Sequence, residues 1–68
     1  MISVELDKSK TALQILVDKE GAEQLIRHLT YIKENQDDMD LVAGAELDNK
    51  ATNSENTLIE YINIAYYK

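Results

Sequence analysis

The chain has no cysteine, one histidine, two glycines and no tryptophan or phenylalanine among its 68 residues. Without cysteine there is no disulfide to staple so small a fold and no thiolate to hold zinc. A lone histidine, His28, makes no metal cluster. Gly21 and Gly44 stand far apart, so there is no glycine-rich loop to cradle a phosphate. No apolar run approaches the roughly 20 residues that cross a bilayer. Met1 to Asp7 alternates in polarity and carries acids, unlike a secretory leader. The expected location is cytoplasmic, which the lack of cysteine allows. The seven basic residues are dispersed and form no basic and aromatic track for single-stranded nucleic acid.

What is present describes a small folded domain. Hydrophobic residues make up 44% and charged residues 29%, a globular rather than a disordered composition. The length allows one domain, residues 1–68. A chain of this size buries only about 60% of its unfolded surface. It therefore needs a well-packed two-layer core, or burial against a partner.

Thirteen acids oppose seven bases, for a formal charge of −6. Such a surface repels nucleic-acid phosphates and anionic membranes, and attracts a basic protein surface. Solubility is the plain explanation of the overall charge. Its distribution carries more information. Glu34, Asp37, Asp38, Asp40, Glu46 and Asp48 fall in one stretch with no base among them. The stretch begins at the end of an expected helix, where acids meet the negative end of the dipole. A local cost without a local gain marks Asp37, Asp38, Asp40, Glu46 and Asp48 as candidate partner-binding residues.

Periodicity gives the elements. Ile2, Val4 and Leu6 alternate with Ser3, Glu5 and Asp7, a strand with one wet face. Residues 7–10 are polar and read as a turn. Leu13, Ile15 and Val17 alternate again, so the two runs form an antiparallel hairpin. Asp18 stands at a helix N-cap, with Glu20 and Glu23 at the positive end of the dipole. Ala22, Leu25, Ile26, Leu29 and Ile32 make the apolar face of a helix running to about Asn35. Arg27, His28, Tyr31 and Glu34 fall off that face. Gly21, in the first turn, either lets the helix approach the sheet closely or is simply tolerated there. Met39, Leu41 and Ala43 alternate as a short third strand. Residues 48–57 are polar and read as a long loop. Thr57 to Tyr67 is apolar on both parities and reads as a last, central strand, with a helix over 56–62 as the competing pattern.

The order β-β-α-β-β predicts an α+β fold: a two-layer sandwich with one helix packed on an antiparallel β-sheet. The far face of that sheet, with Gln14, Leu16, Ile59, Tyr61 and Tyr67 as occupants, has no second helix to cover it. That leaves room for a homodimer through the sheet face or the last strand.

Chemistry is sparse. His28 has no serine beside it to activate, and the acids lack the burial that raises a carboxyl pKa for general acid work. The acidic stretch fails the calcium-loop pattern: counting from Asp38, the sixth position is Ala43 and the twelfth Asn49, where glycine and glutamate are required. No catalytic, cofactor-binding or metal residue is expected, and the chain does not read as an enzyme. Tyr61, Tyr66 and Tyr67 fit core packing and interface anchoring equally well.

Three segments together resemble a small immunity-protein family of bacterial polymorphic toxin systems, the class numbered thirty-two. They are Gly21-Ala22-Glu23-Gln24-Leu25-Ile26-Arg27-His28-Leu29, the run from Met39-Asp40-Leu41 through Gly44-Ala45-Glu46-Leu47, and Asn56-Thr57-Leu58-Ile59-Glu60-Tyr61-Ile62 with the apolar run after it. They cover about two-thirds of the chain. The family carries a tryptophan and paired glycines ahead of Glu-Leu, where this chain reads Val42-Ala43-Gly44-Ala45. The resemblance implies a non-catalytic protein that neutralises a cognate toxin domain made by the same cell, without a cofactor. Glu46 falls on the family's Glu-Leu. A basic toxin domain is the partner such an acidic chain would suit. The alternative is a small homodimeric structural or regulatory module with an unidentified protein partner.

Overall fold

The computed structural model describes residues 1–50 and 54–68. Part of the loop expected over 48–57, namely 51–53, lies outside the described residues. The elements are β1 (Ile2–Leu6), β2 (Leu13–Val17), α1 (Lys19–Asn35), β3 (Asp38–Val42), β4 (Thr57–Leu58) and β5 (Tyr61–Ala65). One helix and antiparallel sheets make the fold α+β, in the order expected from the sequence. Among the described residues the strands pair antiparallel, β2-β1-β4 in one sheet and β3-β5 in the other.

The hairpin turn is organised by Asp7. Its carboxylate accepts from the Ser9 hydroxyl at 2.7 Å and from the N–H groups of Thr11 and Ala12 at 3.0 and 3.1 Å. These bonds, the Ser9 one foremost, hold the Asp7 carboxyl below its usual pKa. The turn places Lys10 in the left-handed region, at φ 62°.

Asp18 caps α1, its side chain accepting from the Gly21 N–H at 2.8 Å. The same oxygen accepts from the Met1 amino group at 2.6 Å. Met1 and then Gly21 hold this carboxyl below its ordinary pKa. Gly21 serves close approach: a Cβ there would overlap the Met1 carbonyl oxygen. The helix ends at Gln36, whose left-handed backbone turns its N–H onto the Ile32 carbonyl.

The core is formed by Ile2, Val4, Leu41 and Leu47, with Leu25, Ile59, Ile62 and Ile64 packed against it. Here the helix differs from expectation. Its inward side is Gly21, Leu25, His28 and Ile32, while Ile26 and Leu29 are 62% and 47% exposed. Gly21, against the Met1 backbone, lies on this inward side. His28, expected on the outer face, is therefore half-buried, with Nε2 shielded and unpartnered.

A second difference concerns β1. Ser3 and Glu5 were expected to be wet but are fully buried. Later parts of the chain cover them. The Ser3 hydroxyl bonds the backbone of Lys50, and the Asn56 amide donates to Glu5 Oε1 at 3.0 Å. On the sheet face for which no second helix was available, Ser3 and Glu5 are thus shielded, while Gln14 stays exposed and Leu16 is half-buried. The last segment is also divided. Thr57–Leu58 pairs with β1, the Ile59 N–H reaches the Val4 carbonyl, and from Tyr61 the chain pairs with β3.

Candidate acidic binding face

The ladder of β3 with β5 sets Met39 opposite Ile64 and Leu41 opposite Ile62. Directly opposed residues share a face, and this pair of rows points inward to the core. The alternate rows form the outer face: Asp38 opposite Ala65, Asp40 opposite Asn63, Val42 opposite Tyr61. All six are exposed. Two aspartates and a tyrosine thus stand side by side on a short two-stranded sheet.

The acids are oriented by neutral donors. The Asn63 amide donates to Asp40 Oδ1 at 2.8 Å and to Asp38 Oδ2 at 2.9 Å. The Tyr61 hydroxyl donates to Asp40 Oδ1 at 2.7 Å. Asn63 first, then Tyr61, hold the Asp40 carboxyl below its usual range. The bond to Asp40, with some burial and the charges of Asp40 and Asp38, pushes the Tyr61 phenol above its ordinary value. Asp37 lies just before the strand. One of its oxygens caps the Asp38 N–H at 2.8 Å, and the Tyr31 hydroxyl lies 3.5 Å from the other. Among the described residues, Asp37, Asp38 and Asp40 form no ion pair with a basic side chain. Their charge faces solvent uncompensated.

The other two expected binding residues are engaged within the fold. Glu46 is half-buried and accepts from the Val42 N–H at 3.0 Å, closing the turn around Gly44. That bond, then its own N–H, and more weakly His28, hold its carboxyl below the usual range. Gly44 sits at φ 82°, a left-handed conformation in which a side chain is strained. Asp48 Oδ2 accepts from the Ile2 N–H at 2.9 Å, while the Asp48 N–H donates to the Ile2 carbonyl at 2.8 Å. Asp48 fastens its segment to β1. The five acids that are close in sequence therefore divide into three that gather at the β3–β5 sheet and two that hold the chain together.

Tyr61 and Asn63 were missed as members of the acidic site. Their signal was the parity of the last strand, which sets them off from Ile62 and Ile64; what pairs with that strand was not legible. None of Tyr61, Tyr66 and Tyr67 enters the core. Among the described residues no enclosed pocket opens on this face or elsewhere, and no group of three or more His, Cys, Asp or Glu gathers as a metal site. No described helix is long and apolar enough to cross a membrane. No family model, curated protein or solved structure matches the chain.

Proposed function

We propose that this is a non-catalytic binding protein of the immunity type, which neutralises a cognate bacterial toxin domain in the cytoplasm of the cell that makes it. The contact surface is the outer face of β3–β5, with Asp38 and Asp40 as charge contacts, Asp37 at the rim and Tyr61 as the aromatic anchor. The observation that carries this reading is the Asp38–Asp40 pair, exposed and oriented by Asn63 and Tyr61, with no ion pair to a basic side chain among the described residues. Prealigned acids beside a tyrosine suit a basic protein surface: the charge speeds encounter and the ring supplies area. The resemblance of the helix, the Met39–Leu47 run and the last segment to the immunity family supports the same class.

The test is affinity capture from the native host with the wild-type chain and with the Asp38→Lys, Asp40→Lys double variant, eluted in rising salt. The expected result is a basic partner held by the wild type, released by salt and lost with the double variant. That partner, expressed alone, arrests growth, and co-expression of this chain restores it. Equal capture by both chains removes the β3–β5 face from the proposal. A partner without toxicity removes the immunity reading.

A further inference from the structure

Among the described residues the outer edge of β2 pairs with no strand, and it is apolar. In the ladder with β1, the Asp7 N–H donates to the Ala12 carbonyl and the Asp18 N–H to that of Met1. These bonds fix the phase of the ladder, because hydrogen-bonded and non-bonded pairs alternate along an antiparallel pair. Gln14 and Leu16 therefore direct their N–H and C=O groups at β1, opposite Glu5 and Ser3. Leu13, Ile15 and Val17 direct theirs away from it, to the free edge. The side chains of the same three residues share the face of Ile2 and Val4, against which Leu25 of α1 packs. They are nevertheless 55%, 47% and 40% exposed.

We infer that a second copy of this chain pairs with β2, antiparallel, across a two-fold axis at Ile15. The inference goes beyond the toxin-binding reading and does not rest on it. In that register Ile15 faces its own counterpart and Leu13 faces Val17 of the second copy, so every outward N–H and C=O of these residues gains a partner. The two three-stranded sheets become one continuous sheet of six. Ile26 and Leu29 are further exposed apolar residues on the helix that contacts β2.

Three features of the chain select a second copy as the occupant. The first is charge. β2 reads Leu-Gln-Ile-Leu-Val, with none of the lysines or prolines that blunt an exposed edge. In a chain of net charge −6, this neutral strand is where two copies meet without opposing like charges: Asp18 falls opposite Ala12. The second is area. The monomer exposes 4871 Å², where a compact monomer of 7.7 kDa exposes about 4,300 Å². The excess is more than half of the roughly 800 Å² that each partner gives to a standard interface. The third is shape. The radius of gyration is 12.5 Å, against about 11 Å for a compact chain of this length. Because Asp38 and Asp40 belong to the other sheet, the dimer presents two acidic faces, neither consumed in forming it.

Sedimentation equilibrium from low micromolar to near-millimolar chain, paired with amide hydrogen exchange at both ends of that range, tests the inference on the unaltered protein. The expected result is a monomer–dimer equilibrium in which the N–H groups of Leu13, Ile15 and Val17 exchange at least ~10-fold more slowly at the high concentration. Those of Gln14 and Leu16 are protected throughout. In Ile15→Lys, with helix content verified by circular dichroism, the dissociation constant rises at least ~10-fold. A monomer at every concentration overturns the inference. So does a dimer in which the three outward amides still exchange freely, since association then uses another surface.

Discussion

Tyr61 donates to Asp40 along a diagonal of the β3–β5 ladder, at 2.7 Å, although Asp40 is directly opposed by Asn63. The diagonal neighbour in an antiparallel pair is within reach of a long aromatic side chain. Asp40 thus receives two neutral donors at one oxygen, and the tyrosine hydroxyl is tied to it. The carboxylate keeps its charge, and the phenol keeps its proton, beyond their ordinary ranges.

This coupling is measurable. In a spectrophotometric titration of the tyrosines, Asp40→Ala lowers the pH at which Tyr61 titrates, because the carboxylate that retains its proton is gone. Tyr61→Phe identifies the Tyr61 phase by removing it. An unchanged titration in Asp40→Ala refutes the bond.

The acids of the 34–48 stretch separate by what their removal does. Asp38→Lys leaves the urea midpoint close to that of the wild type, since its carboxylate only accepts from the exposed Asn63. Glu46→Lys and Asp48→Lys lower the midpoint, because each strips the acceptor from a backbone N–H, that of Val42 and that of Ile2. Equal midpoints for all three variants contradict the division of roles.

Gly21→Ala is expected to destabilise the protein despite the better helix propensity of alanine, which is worth about 1 kcal/mol. The new Cβ meets the Met1 carbonyl oxygen, which is backbone and cannot swing aside. Overpacking of this kind costs typically 1–3 kcal/mol. The net loss shows as a lower urea midpoint with an unchanged slope; a rise refutes the contact.

Leu41→Ala opens a hole where both sheets meet, since Leu41 is fully buried beside Ile2, Val4 and Leu47. The cost is about 2–5 kcal/mol. A domain of 68 residues holds only about 3–10 kcal/mol in total. Thermal unfolding followed by circular dichroism is expected to shift down strongly or to vanish as a cooperative transition.

Stability falls on acidification. Asp7, Asp18, Asp40 and Glu46 all have folded pKa values below their ordinary ones. A depressed carboxyl contributes stability that is complete above its unfolded value and is lost as pH falls toward the folded one. The loss therefore begins near pH 4, around the ordinary carboxyl values of about 3.9 and 4.3. Tyr61 works in the opposite sense, with a raised folded value: its contribution is complete below about pH 10 and lost as pH rises beyond it. Urea midpoints against pH, with Asp7→Asn as the variant that flattens the acid limb, check the sign.

The amino-acid sequence by itself determined the strands of the hairpin, the helix from its Asp18 cap to Asn35, the third strand and the α+β class. These follow from periodicity and capping, which are local: alternation needs only neighbouring residues, and a cap needs only the first helical turn. Tertiary structure decided what the local pattern leaves open. The helix offers adjoining apolar residues, and tertiary packing turns Leu25 and Ile32 inward and leaves Ile26 and Leu29 exposed. Ser3 and Glu5 look like a wet face until Lys50 and Asn56, more than forty positions away in the chain, cover them. The acids from 37 to 48 are alike in sequence. They part because backbone N–H groups of Val42 and Ile2 take Glu46 and Asp48 as acceptors, while strand parity turns Asp38 and Asp40 to solvent. A backbone N–H pairs with whichever acceptor the folded chain brings to it, and that pairing is set in three dimensions only.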